Sequence, residues 1–373
     1  MAKTSPASGS IITLYGKRLI PEAIKETVFG QFVGDNNALK QERDLETQRG
    51  TSFVSTLALN LTGTGFGLDT AVDGNEESIS QFVDTVSVDQ LTEAILIPTK
   101  ANVEQHQVGW EYSKEGFDIL KRWFKVTFEI WAANQLAGNT ATAIGVGSDT
   151  APYDGRTYAA GKTLFATGNN AATAPTTNRI FRAGGAATDQ ALSSADTMTL
   201  KMIDAAVERA ITTSPMISPV MYNGKEMYVC LVSPEQWVDL VRDSSSPVQI
   251  TDINLSLLQG GGSLSENPMI TAKGFEYNRT LIIENSRVPY GVNGSTSAQI
   301  STVRRALFLG KGAASFGFKG AGAGEAMMYQ ETKDGGRYEQ ITGNVIGGLK
   351  KAVYNSEDYG VIVLSTYAAS HTS

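Results

Sequence analysis

"SKEGFDILKRWFKVTFEIWAANQLAG", Ser113 to Gly138, decides how the rest of the chain is read. Phe117, Leu120, Phe124, Phe128 and Trp131 recur at helical spacing and share one stripe. Ile119, Trp123, Val126, Ile130 and Ala133 form the neighbouring stripe. Asp118, Arg122, Lys125 and Glu129 make a polar face with opposite charges four residues apart. Ser113 is the expected N-cap and Gly138 the expected stop. A helix of about 25 residues is about 37 Å long at 1.5 Å per residue. Such a helix is a spine, and its wide aromatic face requires cover from a sheet or another chain.

Downstream, Asn139 to Asp196 is rich in Ala, Thr, Gly and Asn with few charges, which predicts surface loop with short strands and an interaction role. "TLKMIDAAVERAITT" predicts a helix, with Leu200, Ile203, Val207 and Ile211 on one side and Pro215 beyond its end. "EMYVCLVS" reads as a buried strand. In "SPEQWVDLVRD", Ser233 is the cap, Pro234 the first helical residue, Glu235 lies in the first turn, and Trp237, Leu240 and Val241 point inward. Strands follow at "TLIIE", "RRALFLG" and Val361 to Ser365. Helices and strands mixed in this irregular order predict an α+β fold.

Upstream, residues 1 to 60 are polar and mixed in charge. "PEAIKETVFGQF" predicts one short helix with Pro21 in its first turn. "NNALKQERDLETQRG" has almost no apolar stripe and reads as an extended arm that needs a partner to lie on. Deleting the arm is expected to spare the fold and weaken the joining of subunits. "GTGFGLDTAVDGNEES" is a glycine-rich turn region. "DTVSVD" alternates at strand spacing and "EAILIP" is a second apolar run, so residues 61 to 100 are expected to form a long hairpin-like excursion.

The chain of 373 residues is 41% hydrophobic, enough for a sizeable core. Its 38 glycines, about one residue in ten, exceed the usual ~7% and favour turns and bulges. A net charge of −7 does not suit gripping a nucleic-acid backbone with the whole surface. One cysteine, Cys230, permits no intrachain disulfide, fits a reducing compartment, and reads as a small buried hydrophobe. The N-terminus lacks the apolar core of a signal peptide, and no run reaches the length of a membrane span.

Little of the chain suggests chemistry. "DGRTYAAGKTLFA" ends in Gly161-Lys162-Thr163 like a phosphate loop, but Gly155 and Gly161 enclose five residues where four are needed. Neither a buried strand before it nor a good helix after it completes the motif. "GKGAASFGFKGAGAGEA", from Gly310, lacks the dinucleotide glycine register and reads as turning backbone between strands. Only two histidines occur. His106 sits in a polar surface segment and His371 near the C-terminus, where order is usually lost. Glu76-Glu77 reads as a solvated turn. Arg304-Arg305 and Lys350-Lys351 suit salt bridges to acidic neighbours better than a nucleic-acid track, which needs a larger cluster with stacking aromatics. No catalytic, cofactor-binding or metal-binding residue is therefore assigned, and no cofactor is expected. Much buried apolar surface joined to long loops is the profile of a self-assembling structural protein.

The sequence also resembles a family, the major capsid proteins of tailed bacteriophages, specifically the N4-like branch. The carriers are "DGNEESISQFVDTVSVDQ", the spine segment, "NRIFRAGG" with "ADTMTLKMIDAAVERA", "GKEMYVCLVSPEQWVDLVRD", "RRALFLGKGAASFGFKG" and "GGLKKAVYNSEDYGVIVLS", in the family's order. No single piece is specific, whereas the ordered set is. The resemblance implies the tailed-phage and herpesvirus major capsid fold (Hong Kong phage-type). It implies an N-terminal arm over 1–60 and an extended loop over 61–105. A peripheral domain with the spine helix would cover 106–197, an axial domain 198–324, and a return to the peripheral domain 325–373. The implied function is self-assembly, as hexamers and pentamers, into an icosahedral shell enclosing double-stranded DNA without sequence-specific binding. Portal and scaffold proteins are implied partners, with decoration proteins a further possibility. No membrane is involved; the implied location is the virion, after synthesis in the host bacterial cytoplasm. An encapsulin-like compartment shares the fold and differs in carrying enzyme cargo. A β-rich tail or adhesin protein is disfavoured by the spine helix and the helix after Ser233. A nucleotide enzyme is the weakest alternative.

Overall fold

The computed structural model describes residues 27–42, 52–58, 63–67, 73, 76–79, 81–98, 112–141, 170–222, 224–243, 274–318 and 328–371. After a 3-10 turn at Phe29–Phe32, the first strands are β1 (Leu39–Gln41), β2 (Ser52–Ala58), β3 (Gln81–Ser87) and β4 (Asp89–Pro98). The spine helix α1 (Tyr112–Leu136) comes next, then β5 (Ile180–Arg182), α2 (Leu200–Thr212), β6 (Val220–Tyr222), β7 (Lys225–Val232) and α3 (Pro234–Arg242). The rest is β: β8 (Phe275–Tyr277), β9 (Thr280–Glu284), β10 (Tyr290–Val292), β11 (Gln299–Leu309), β12 (Ala314–Phe318) and β13 (Met328–Lys333). The chain closes with β14 (Tyr338–Lys351), β15 (Val353–Tyr354), β16 (Glu357–Asp358) and β17 (Val361–Tyr367).

The larger sheet runs β5-β17-β11-β7-β9-β8, with β10 on β11 and β6 on β7. Both of its faces are covered. Val229, Leu231, Leu307, Leu309 and Val361 point into the core that holds α1. Tyr228, Cys230, Val232, Phe308, Ile362 and Leu364 point the other way, under Leu200, Ile203 and Val207 of α2 and Leu240 of α3. A strand buried on both faces needs apolar residues at every position. That is why "MYVCLV", "ALFL" and "VIVL" read as continuous runs.

The smaller sheet runs β1-β12-β14-β13, with β4 also on β14. Spine helix α1 lies across it. Leu120, Phe124, Phe128 and Trp131 are buried there with Ile341, Val345, Leu349 and Phe316. One close approach is at Gly343, where a Cβ would lie 2.6 Å from Phe124 Cε2 and 3.0 Å from Leu120 Cδ2. Gly343→Ala is expected to cost about 1–3 kcal/mol as overpacking. Denaturant unfolding should show a lower midpoint at unchanged slope. A variant as stable as the wild type means that α1 does not press on β14 there.

Helix ends follow local chemistry. Gly138 adopts φ +57°. The Gly138 N–H donates to Gln135 O and the Asn139 N–H to Asn134 O, the paired closure that a left-handed residue permits. Ser233 caps α3 reciprocally: its Oγ accepts from Gln236 N at 3.2 Å, and Gln236 Oε1 accepts from Ser233 N at 3.0 Å. On α2, Asp204 accepts from Tyr277 Oη at 3.0 Å and Asn278 Nδ2 at 2.8 Å, holding the tight turn between β8 and β9.

Several expectations need correction. Ser113 is not the cap of α1, because the helix already includes Tyr112. Ile119 is 46% exposed, so the second apolar stripe is not wholly core. Glu129 is buried rather than solvated, because its Oε1 accepts from Val28 N at 3.0 Å. Residues 27–42 do not wait for a neighbour: Phe29, Phe32, Ala38 and Leu39 are fully buried in the α1 core, and β1 pairs in parallel with β12. The expected excursion over 61–100 is divided differently. β3 pairs with β2 as a ribbon, whereas β4 joins the body by pairing with β14. The segment from Asn170 to Asp196 is anchored, not merely superficial, since Arg179 and Asp189 are buried. Glycine-rich 310–326 contains strand β12.

Candidate functional site

The two basic pairs fold into interior joints. Arg305 and Asp189 meet with Nη2 and Oδ2 2.7 Å apart, and Arg182 Nε holds Oδ1 at 2.7 Å. Arg305 Nη1 also donates to Ala137 O (3.3 Å) and Gly138 O (3.1 Å), the negative end of the α1 dipole. Arg304 pairs with Glu235 at 3.0 Å, donates to Val288 O at 3.1 Å, and lies 3.7 Å over the Tyr290 ring. Lys351 pairs with Asp358 at 2.8 Å and donates to Thr173 O at 3.0 Å. Lys350 pairs with Asp84.

These joints link remote segments to the two sheets. Burial pushes the Asp189 carboxyl up, but Arg305, the Arg182 hydrogen bond and the Val292 N–H together hold it below its ordinary value. Burial lowers the Lys351 amine, with Asp358 opposing. None of the four basic side chains is a free cation offered to a phosphate backbone.

The other chemical candidates have ordinary explanations. Amides of the Gly310 turn are already used: Gly310 N donates to Gly360 O (2.8 Å), Lys311 N to Ser218 O (2.8 Å) and Gly312 N to Asn37 O (3.0 Å). They cannot cradle a phosphate without breaking these bonds. Cys230 is fully buried and burial pushes its thiol up to about 12, so the nucleophilic thiolate is suppressed. His371 has a partner: its Nε2 lies 3.0 Å from Asp239 Oδ1 on α3. Glu77 accepts from Gly63 N at 2.8 Å. Among the described residues no group of three His, Cys, Asp or Glu is placed to hold a metal ion, and no helix is long and apolar enough to cross a membrane. Gly155, Gly161, Lys162 and His106 lie outside the described residues.

What the surface does offer is apolar and β-structured. The β2–β3 ribbon buries Phe53 and Val86 at its base and exposes Val54 (52%) and Val83 (58%) on the opposite face. Leu96 (57%) and Tyr329 (61%) flank β14 in the smaller sheet. Ile79, Met216 and Met221 add further exposed apolar side chains. Apolar side chains scattered singly are ordinary on a protein surface, whereas neighbours on one face, such as Val54 and Val83 of the ribbon, offer a surface that another protein can cover.

The family model for phage capsid proteins matches residues 3–370. The chain belongs to the phage capsid protein family. Its fold is the tailed-phage major capsid fold, and the solved capsids it resembles match over almost their whole length. The capsid of Ralstonia phage GP4 is 24% identical, with a TM-score of 0.75 over 94% of this chain and 93% of that one. The capsid of cyanophage Pam1 is 19% identical, with a TM-score of 0.68 over 93% of each chain. The head of Helicobacter pylori bacteriophage KHP40 is 15% identical, with a TM-score of 0.62 over 91% of this chain and 92% of that one. No curated protein is matched. In this capsid protein the buried ion pairs are structural joints. Their acidic halves were not legible beforehand, because Asp189 lies 116 residues from Arg305 and Asp84 lies 266 residues from Lys350.

Proposed function

We propose that this chain is the major shell protein of a tailed phage, assembling with copies of itself as hexamers and pentamers around double-stranded DNA. The observation that carries this reading is the family match over residues 3–370, joined to a fold match spanning whole capsid chains. A structural rather than catalytic role belongs to the same reading; of the chemical candidates among the described residues, the Gly310 turn amides and His371 are partnered and Cys230 is buried. The shell encloses DNA without reading its sequence: net charge is −7, and the basic pairs are taken up by carboxylates inside the fold. Membership of the N4-like branch, portal, scaffold and decoration partners, and synthesis in the host cytoplasm belong to the same reading. So does a division into extended loop, peripheral domain and axial domain, with the β2–β3 ribbon as the loop and residues 27–42 and β4 in the body.

Electron microscopy of the purified full-length chain tests it. Five- or six-fold rings, or closed shells, are the expected products. Monomers at every concentration and salt overturn the proposal. Shells that co-purify with a defined enzyme cargo favour an encapsulin-like compartment. Magnesium-dependent ATP binding that is lost in Lys162→Ala overturns the non-enzymatic part.

A further inference from the structure

The strand pair β3 and β4 is nearly one continuous strand from Gln81 to Pro98, broken only at Val88. On either side of the break it changes partner. Before it, Ser87 pairs with Ser52 in the ribbon; after it, Asp89 pairs with Gly347 in the body. The direction in which the ribbon leaves the body therefore depends on the backbone dihedrals around residues 87–89 together with the ties at the ribbon's base. Such dihedrals are soft unless something holds the peptide groups next to them.

Asn170 does this. Its Oδ1 accepts from Ser87 N at 2.8 Å and its Nδ2 donates to Ser87 O at 2.6 Å. One primary amide thus reproduces both hydrogen bonds that a neighbouring strand would make. Asn170 is fully buried, and its own carbonyl accepts from Gln135 Nε2 on α1, so the clamp is backed by the spine helix. On the far side Ser87 is pressed by β14, where a Cβ at Gly348 would lie 2.2 Å from Ser87 O. The ribbon base is also tied: Asp84 Oδ2 accepts from Val353 N at 3.2 Å, and Ser55 Oγ lies 3.0 Å from Tyr354 Oη. Beyond these ties the ribbon is exposed at Thr56, Ala58, Gln81 and Val83.

We propose that Asn170, gripping both peptide groups of Ser87, is a positioning residue that sets the angle of the β2–β3 ribbon, and through it the curvature with which copies of this chain join. This rests on the shell-forming reading above. A merely structural Asn170 satisfies two buried peptide groups and affects stability alone. An angle-setting one affects the geometry of the assembly at matched stability. Shell diameter separates the two.

The experiment uses full-length chains: wild type, Asn170→Ala and Asp204→Ala. The last removes the two hydrogen bonds by which α2 holds the β8–β9 turn, away from the ribbon, and serves as a control for lost stability. Each is followed by thermal unfolding and by particle diameters in electron micrographs. The expected result is that Asn170→Ala folds but gives tubes or a broad range of diameters, while Asp204→Ala gives shells of wild-type size. Uniform wild-type diameters from Asn170→Ala overturn the proposal, as does equal broadening in Asp204→Ala. Should Asn170→Ala be insoluble, Asn170→Ser takes its place. If that also fails to fold, Asn170 is a requirement of the fold rather than a setter of angle, and the proposal fails. A wild type that forms no assemblies sinks the shell-forming reading instead.

Discussion

Removing residues 1–42 is expected to leave an insoluble chain, not a folded subunit that merely fails to assemble. The truncation takes out Phe29, Phe32, Ala38 and Leu39, all fully buried under α1 and beside Phe316 of β12. It also strips the parallel partner from the edge of β12 and the Val28 N–H from Glu129. Truncating a buried Phe or Leu costs about 2–5 kcal/mol. Three such losses total about 6–15 kcal/mol before any coupling between them, as large as the entire stability of about 5–15 kcal/mol expected for a domain. The single variant Phe32→Ala should stay soluble and lose about 3–5 kcal/mol. A second truncation that removes only residues 1–26 isolates the contribution of 27–42. Soluble protein from the longer truncation, with wild-type near-ultraviolet dichroism, would show that these side chains are not core.

The expectation that this segment is an extended arm lying on a neighbouring subunit came from its composition. "NNALKQERD" offers one large apolar residue, Leu39, and a strand of three residues carries no periodicity to detect. Burial here comes from what lies above it, which no local window contains. Strand β14 was missed for a related reason. Gly343, Gly347 and Gly348 interrupt its apolar pattern, yet Gly343 lets α1 approach and Gly348 lets Ser87 approach. Glycine inside a strand marks close backbone contact as often as a turn. The opposite case is α1, where every aromatic position repeats at helical spacing and Gly138 marks the stop. Ser233 and Gln236 likewise made the start of α3 legible. The runs in β7, β11 and β17 were legible because a sheet buried on both faces leaves no polar positions to confuse the pattern. The ion pairs were half legible: doubled basic residues in apolar strands need acidic partners, but chain separation hides which ones. Asn170 gave no signal at all, since a lone Asn in a polar segment looks like any other.

Replacing Asp189 by Asn should be the most damaging single substitution among these pairs, and it should change how the protein responds to acid. Asp189 is fully enclosed, with Arg182, Arg305 and the Val292 N–H all directed at its carboxylate. Removing its charge leaves two guanidinium groups in or near the core without a counter-ion, which costs about 3–5 kcal/mol. Arg305 also holds the last carbonyls of α1, so the loss reaches the spine helix as well as the 170–196 segment. The acid response follows from the direction of its pKa. The folded value lies below the ordinary one despite burial, so the folded protein resists protonation more than the unfolded chain does. The stabilisation is therefore complete above the unfolded carboxyl value of about 3.9, and disappears as pH falls through the lower folded value. Thermal unfolding measured downward from pH 7 should show wild type losing stability below about pH 4. Asp189→Asn should start lower and fall less over that range. Pairing Asp189→Leu with Arg305→Met should recover only part of the loss, because the α1 carbonyls then lack their donor. A variant Asp189→Asn that melts with the wild type at pH 7 and tracks its acid limb would remove this joint from any account of stability.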